Sequence, residues 1–346
     1  MRTPERVLIR ATNWVGDVVM STPALAGIRK SFPGARISLL VRPQLGELLL
    51  GNPAVDEIIH IDKKGIHAGP TGLSSLVGEL RKRRFTKAIL LQNAFEAAFI
   101  AFLARVPERM GYATDGRGVL LTRAVKVAGE TKRKHQVFYY LDLLAALGLE
   151  HDEHTPKLYV DTDEVEAAAR TLAAHGVGRD DLIVGINPGA QYGAAKRWHP
   201  ERFGYVADGL AREFGAKAVI FGGPGDVDTA RTVQASMKEE AVNLAGRTSM
   251  REFMALVRRC GLFITNDTGP MHVSAALGVP TLAVFGSTDP VATGPFGERH
   301  AYVRELVNCG PCLKRTCPLE HFECMERMSP GKVLSKAKEM IGVAVG

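Results

Sequence analysis

Short apolar runs alternate with helical stretches along almost the whole chain, and the alternation starts afresh halfway. The first series comprises RVLIRA (6–11), a helical stretch to about Phe32, ARISLLV (35–41), a helix near 43–50, DEIIHI (56–61), a helix near 72–83 and KAILLQ (87–92). The second opens at LIVGINPGA (182–190) and continues through ERFGYVADGLAREF (201–214), KAVIFGG (217–223), a helix near 226–238 and MREFMALVRRC (250–260). LFITND (262–267), GPMHVSAALG (269–278) and PTLAVFG (280–286) complete it. Strands that are apolar on both faces and separated by helices form parallel sheets covered on both sides. At about 150 residues per domain, 346 residues make two. The expectation is an α/β protein of two facing Rossmann-like domains with parallel sheets and an interdomain cleft. The helix HQVFYYLDLLAALG (135–148) and the following linker place the boundary, giving domains 1–172 and 173–328. A C-terminal helix over 329–346 follows, with an apolar stripe at Val333, Ala337, Met340 and Ile341.

A chain 46% hydrophobic and 23% charged reads as a soluble globular protein. No apolar run reaches the roughly 18 residues of a membrane span, and MRTPERVLIR is a polar lead into a strand, so a cytoplasmic protein is expected. The net charge of +7 is uneven: residues 1–160 hold 23 Lys+Arg against 15 Asp+Glu. Much of the excess sits in RKRRFTK (81–87) and TKRKH (131–135), which read either as solvated surface or as contacts for phosphates or an anionic membrane face. Neither cluster carries the interleaved aromatics of a nucleic-acid groove, so nucleic acid is set aside.

Three loops after strands of the second series suit anionic ligands. In NPGAQYGAAKRW (187–198), Gly189 and Gly193 allow a tight backbone and Lys196 supplies positive charge; its alternative is a solvated lysine. In FGGPGDVD (221–228), Gly222 and Gly223 do not start a dinucleotide fingerprint, and Asp226 reads equally as a ribose acceptor or a helix N-cap. In TNDTGPMHVSAALG (265–278), Asp267 and Thr268 are N-cap types before Pro270, Gly269 permits close approach, and His272 lies one turn beyond Thr268. Plain capping and a partly buried histidine are the alternatives. Near the N-terminus, Gly16 and Asp17 lie in a loop entering a helix, where Asp17 is either a helix-start residue or a working carboxylate.

Five cysteines remain. Cys260 reads as a buried thiol. Cys309, Cys312, Cys317 and Cys324 crowd into CGPCLKRTCPLEHFEC with two, four and six residues between them. Those spacings match no standard knuckle, so reduced thiols and a structural zinc or iron–sulfur site both stand.

WVGDVVMSTPAL (14–25), NPGAQYGAAKRW and TNDTGPMHVSAALGVPTLAVFGSTDP (265–290) together, in that order, resemble the lipopolysaccharide heptosyltransferases, most closely type II. The resemblance implies the GT-B fold, with the acceptor on the first domain and the sugar nucleotide on the second. It implies inverting transfer of L-glycero-D-manno-heptose from ADP-heptose to the heptose I residue of the lipopolysaccharide inner core. The partners would be ADP-heptose, a lipid-anchored acceptor and the anionic cytoplasmic face of the inner membrane, met peripherally by a monomer needing no cofactor. It matches the catalytic carboxylate to Asp17 and the pyrophosphate lysine to Lys196. The nucleotide motif falls on Asp267, Thr268, Gly269 and His272, and the ribose acid on Asp226. Gln191 and Tyr192 stand where some members carry hydroxyl residues before the lysine. Competing expectations are a type I or III acceptor, a sugar-nucleotide 2-epimerase of the same fold, and a non-catalytic nucleotide-sugar or RNA-binding protein.

Overall fold

The computed structural model describes residues 5–345 and divides into two compact units, residues 1–159 and 160–346. Strands β1 (Arg6–Arg10), β2 (Arg36–Val41), β3 (Glu57–His60), β4 (Lys87–Leu90), β5 (Glu108–Tyr112) and β6 (Arg123–Val125) build the first sheet. Strands β7 (Ile183–Asn187), β8 (Lys217–Ile220), β9 (Ala241–Asn243), β10 (Leu262–Asn266), β11 (Thr281–Phe285) and β12 (Ala301–Arg304) build the second. The spatial orders are β3-β2-β1-β4-β5-β6 and β12-β11-β10-β7-β8-β9, with every pairing parallel. Counted within its own unit, the second order is the first read from the other edge. Both are the doubly wound arrangement, whose strand order reverses between the first and fourth strands and opens a ligand crevice at their carboxyl ends.

Central strands β7, β10 and β11 are buried at every position, as their near-continuous apolar sequences demand. In the second unit, Val184, Ile186, Ile264 and Val284 from the sheet pack with Phe203, Val206 and Leu210 of helix Pro200–Phe214. The C-terminal helix Pro330–Val345 docks into this same core through Val333, Ala337 and Ile341, three residues of the expected stripe. In the first unit, Leu8, Leu40, Ala88 and Leu90 form a core with Leu76 and Leu80 of helix Gly69–Lys82 and Ile100 of helix Phe95–Leu103.

The division between Tyr159 and Val160 corrects the boundary expected at 172/173. Helix Thr162–Ala174 belongs to the second unit because Glu164 ties it there. That carboxylate closes a capping box, accepting the Asp161 N–H at 2.9 Å, and also takes both arms of Arg251, whose Nε donates at 2.6 Å. A bidentate guanidinium–carboxylate pair of this kind fixes geometry as well as adding attraction.

Candidate functional site

Strands β7 and β10 flank the reversal of the second sheet, and the loops leaving their carboxyl ends are joined by buried polar contacts. Asn266 closes β10 with its side chain fully buried. Its Oδ1 accepts the Trp198 N–H at 3.1 Å and its Nδ2 donates to the Pro188 carbonyl at 2.7 Å, so both ends of loop 188–198 hang from one residue. The Trp198 indole anchors the far end, buried against Phe203 and donating to the Met328 carbonyl at 3.0 Å. Between these clamps, Lys196 turns inward and its Nζ lies 2.5 Å from Oδ2 of Asp267, at 12% and 3% side-chain exposure. The Thr288 hydroxyl donates to the same Asp267 oxygen. The solvated-lysine and plain-capping readings are therefore both overturned: Lys196 and Asp267 form a nearly buried pair at the crevice.

Thr268 occupies the N-cap position of helix Gly269–Ala276 without a side-chain capping bond. The amides of this first turn follow directly on Asp267, Lys196's partner, and carry the positive end of the helix dipole. His272 is buried in the first turn and Gly269 begins it. Asp226 ends the short 3-10 turn Pro224–Asp226 in the loop that follows β8. It is the N-cap residue of helix Val227–Ser236 but does not cap it; Oδ2 instead accepts the Gly223 N–H at 3.0 Å. A Cβ on Gly189 would lie 2.5 Å from both Asp226 carboxylate oxygens, and one on Gly222 would lie 2.9 Å from the Asp226 Cβ. The carboxylate thus rests in a notch that only glycines leave open, with one oxygen uncommitted among the described residues.

A third set of contacts joins this crevice to the cysteine-bearing segment. The Ala195 N–H donates to the Arg315 carbonyl at 3.0 Å, the Tyr192 hydroxyl donates to the Leu313 carbonyl at 3.2 Å, and the Leu313 N–H donates to the Ser287 carbonyl at 2.8 Å. Gly193, at φ +158°, lies so close that a Cβ would sit 2.2 Å from the Arg315 oxygen. The four cysteines here are free thiols, and the described residues contain no group of three or more His, Cys, Asp or Glu able to hold a metal ion. The Cys324 thiol is nevertheless raised above its ordinary value by burial and by the neighbouring Cys309, Cys312 and Cys317, so the four thiols lie within electrostatic reach of one another. Cys260 is the buried thiol expected, and burial pushes it up to about 12.

In the first unit, Gly16 and Asp17 lie not in a loop but in the first turn of helix Val15–Met20, which begins two residues earlier because Trp14 takes the extended N-cap conformation. Asp17 makes no capping bond. Its Oδ1 instead accepts the Tyr140 hydroxyl at 3.3 Å. Burial pushes the Asp17 carboxyl above its usual range and the Tyr140 hydroxyl pulls it only partly back. Burial beside Asp17 also raises the Tyr140 phenol well above its ordinary value, which keeps it a donor. The preceding loop is braced by Arg10, 2% exposed, whose guanidinium donates to the Ala11 and Leu40 carbonyls at 2.6 and 3.2 Å and to Asn13 Oδ1 at 3.0 Å. Asp17 thus stands after β1, beside the reversal between β1 and β4, as a carboxyl raised by burial and held by one phenol.

The basic clusters are partly spent inside the fold. Arg83 pairs with Glu57 and Glu79, Lys87 with Glu5 and Glu108, and Lys134 with Asp142, while the Arg81 Nε donates to the Leu103 carbonyl. Lys82, Arg84, Lys132 and Arg133 remain exposed. No helix among the described residues is long and apolar enough to cross a membrane.

Tyr140, Asn266, Thr288 and Arg10 escape a sequence reading. Asn266 is the most detectable, since a polar residue closing an apolar strand directly before Asp-Thr-Gly implies a buried hydrogen-bonding duty. Tyr140 sits 123 residues from Asp17 on a helix where an aromatic reads as core.

A model of glycosyltransferase family 9 (heptosyltransferase) matches residues 73–323. Lipooligosaccharide heptosyltransferase 2 of Campylobacter jejuni is 28% identical over 341 residues, covering 97% of this chain and 98% of that protein. The crystal structure of a family 9 glycosyl transferase from Veillonella parvula superposes with a TM-score of 0.90 at 26% identity, covering 99% of this chain and 98% of that one. ADP-heptose lipopolysaccharide heptosyltransferase II of E. coli superposes at 0.84 and 25% identity, covering 99% and 100%. The two doubly wound sheets are the GT-B fold class expected.

Proposed function

The chain belongs to glycosyltransferase family 9, the heptosyltransferases of lipopolysaccharide core synthesis, and on that footing we propose that it moves L-glycero-D-manno-heptose from ADP-heptose to heptose I of the inner core. The observation that carries the donor half is the Lys196–Asp267 pair at the reversal of the second sheet, beside a helix N-terminus whose N-cap residue Thr268 makes no side-chain capping bond. A diphosphate finds there one ammonium and oriented amides, and Asp226 offers an open carboxylate oxygen to a ribose hydroxyl. His272 and Gly269 line the same turn, where backbone can approach the nucleotide closely.

The first unit takes the acceptor. Asp17 removes the proton from the attacking hydroxyl as that oxygen bonds to the anomeric carbon. The bond from that carbon to the diphosphate oxygen breaks, and its electron pair leaves with ADP, whose charge Lys196 and the amides stabilise. A single displacement inverts the anomeric centre. Because protein donors meet the leaving charge, the reaction runs without a metal cofactor. Exposed Lys82, Arg84, Lys132 and Arg133 support a peripheral, salt-sensitive approach to an anionic lipid face bearing the acceptor.

Purified protein incubated with ADP-heptose should release ADP only when heptosylated Kdo2-lipid A is added. Release that begins instead at the unheptosylated acceptor reassigns the position. No release with any heptose-bearing or bare core acceptor sinks the transferase reading, and interconversion of a UDP-sugar at its second carbon would replace it with an epimerase.

A further inference from the structure

The Tyr192 ring carries two cations. The Lys196 Nζ lies 4.7 Å from its centroid and the Arg315 Cζ lies 5.1 Å from it, so the two charges stand within about 10 Å of each other. The ring is tied to the segment that bears Arg315, its hydroxyl donating to the Leu313 carbonyl at 3.2 Å. That segment is bonded in turn to the loop bearing Lys196 through Ala195, and glycine at 193 lets the two backbones touch. Lys196 is matched by Asp267, whereas no carboxylate among the described residues pairs with the exposed Arg315 guanidinium. An unpaired guanidinium costs little in water; one aligned over an aromatic ring at the rim of an anion crevice is a fork waiting for two phosphate oxygens.

We infer that Arg315, carried by the cysteine-bearing segment and aligned by Tyr192, is a second cation for the donor's diphosphate. This rests on the reading of the second unit as the ADP-sugar site. One charge on a buried lysine already shared with Asp267 is a weak match for a diphosphate carrying more than one negative charge. Arg315 supplies the missing positive charge from the solvent side, and its planar fork accommodates two oxygens where lysine offers a point. The strap therefore does more than cover the loop: it completes the site from a part of the chain over a hundred residues away.

The test is calorimetric titration of the whole chain with ADP, AMP and adenosine, using wild type, Arg315→Ala, Arg315→Lys and Lys314→Ala. Arg315→Ala keeps the backbone bond to Ala195, so a purely structural strap would leave affinity unchanged. The expected result is about a tenfold loss of ADP affinity in Arg315→Ala, under threefold for AMP and none for adenosine. Arg315→Lys should recover part of the loss, and Lys314→Ala should stay within twofold of wild type. If wild type does not bind ADP, the nucleotide-site reading itself fails. If wild type binds and Arg315→Ala binds within twofold, or Lys314→Ala loses as much as Arg315→Ala, the inference on Arg315 is overturned while the site reading stands.

Discussion

Adding one methyl group at Gly193 should cost more activity than stability. The Cβ of Gly193→Ala would stand 2.2 Å from the Arg315 carbonyl oxygen and 2.8 Å from its carbon, both backbone atoms, at a φ of +158° that side chains rarely adopt. Reaching even the 3.0 Å that real Cβ atoms tolerate requires about 0.8 Å of retreat. Neither partner is a flexible side-chain tip, so the turn Ala194–Lys196 must move off the strap and stretch the 3.0 Å bond from Ala195. Losing that bond costs about 0.5–1.5 kcal/mol, a fall of only a few degrees in Tm for a unit of this size. The larger consequence falls on Lys196, two residues beyond Ala194 and held at 2.5 Å from Asp267. A displacement near 1 Å of a positioning group costs on the order of 100-fold in rate. Steady-state kcat/KM with ADP-heptose should drop between about 10-fold and 100-fold, while Gly34→Ala, with nothing within 4 Å, should match wild type. A Gly193→Ala enzyme within threefold of wild type would refute the claim that the strap sets the lysine.

Two further outcomes concern the half-buried Asp17 carboxylate. Asp17→Asn should cut kcat by at least about 100-fold while leaving ADP affinity unchanged. It should also raise Tm at neutral pH: a carboxyl whose folded pKa is raised destabilises the fold once pH exceeds that value, and the penalty lifts as pH falls through it, so the gain should shrink in acid. Tyr140→Phe removes the hydroxyl that holds Asp17's pKa down, so the acid limb of the pH–rate profile should move to higher pH with the plateau rate little changed; an unmoved limb means Asp17 is not the titrating base.

Apolar central strands declare themselves. RVLIR, RISLLV, IVGIN, LFITN and TLAVF appear in the structure within a residue or two of where their composition puts them. The edge strands are harder to read because water satisfies one side: Arg123–Val125 exposes two of its three residues, and Ala301–Arg304 buries only Val303. Glu108–Tyr112, ERMGY, mixes charge and glycine and resembles a loop until Met110, Gly111 and Tyr112 are seen buried. Helix Phe95–Leu103 is apolar nearly all round and so lacks the period that betrays a surface helix. In the site, motifs along a single stretch were legible, as with Lys196 and Asp267. Their pairing was not, because ion pairs, the Tyr140 bond and the strap's contacts each join residues dozens to over a hundred positions apart. The basic stretch 81–87 makes the same point in reverse, since Glu57, Glu79 and Glu108 quench charges that looked available for a membrane.

On the proposed reading of the donor site, holding Lys196 against Asp267 also governs what happens after transfer. With no ligand the Lys196 charge is balanced by Asp267, so a stray phosphate meets little net attraction there. When ADP remains as product, the carboxylate competes for the same ammonium and the lysine has somewhere to return. Departure then exchanges one ionic contact for another instead of stranding a bare buried charge. On that reading the pair acts as a counterweight on turnover, trading some grip on the nucleotide for its release.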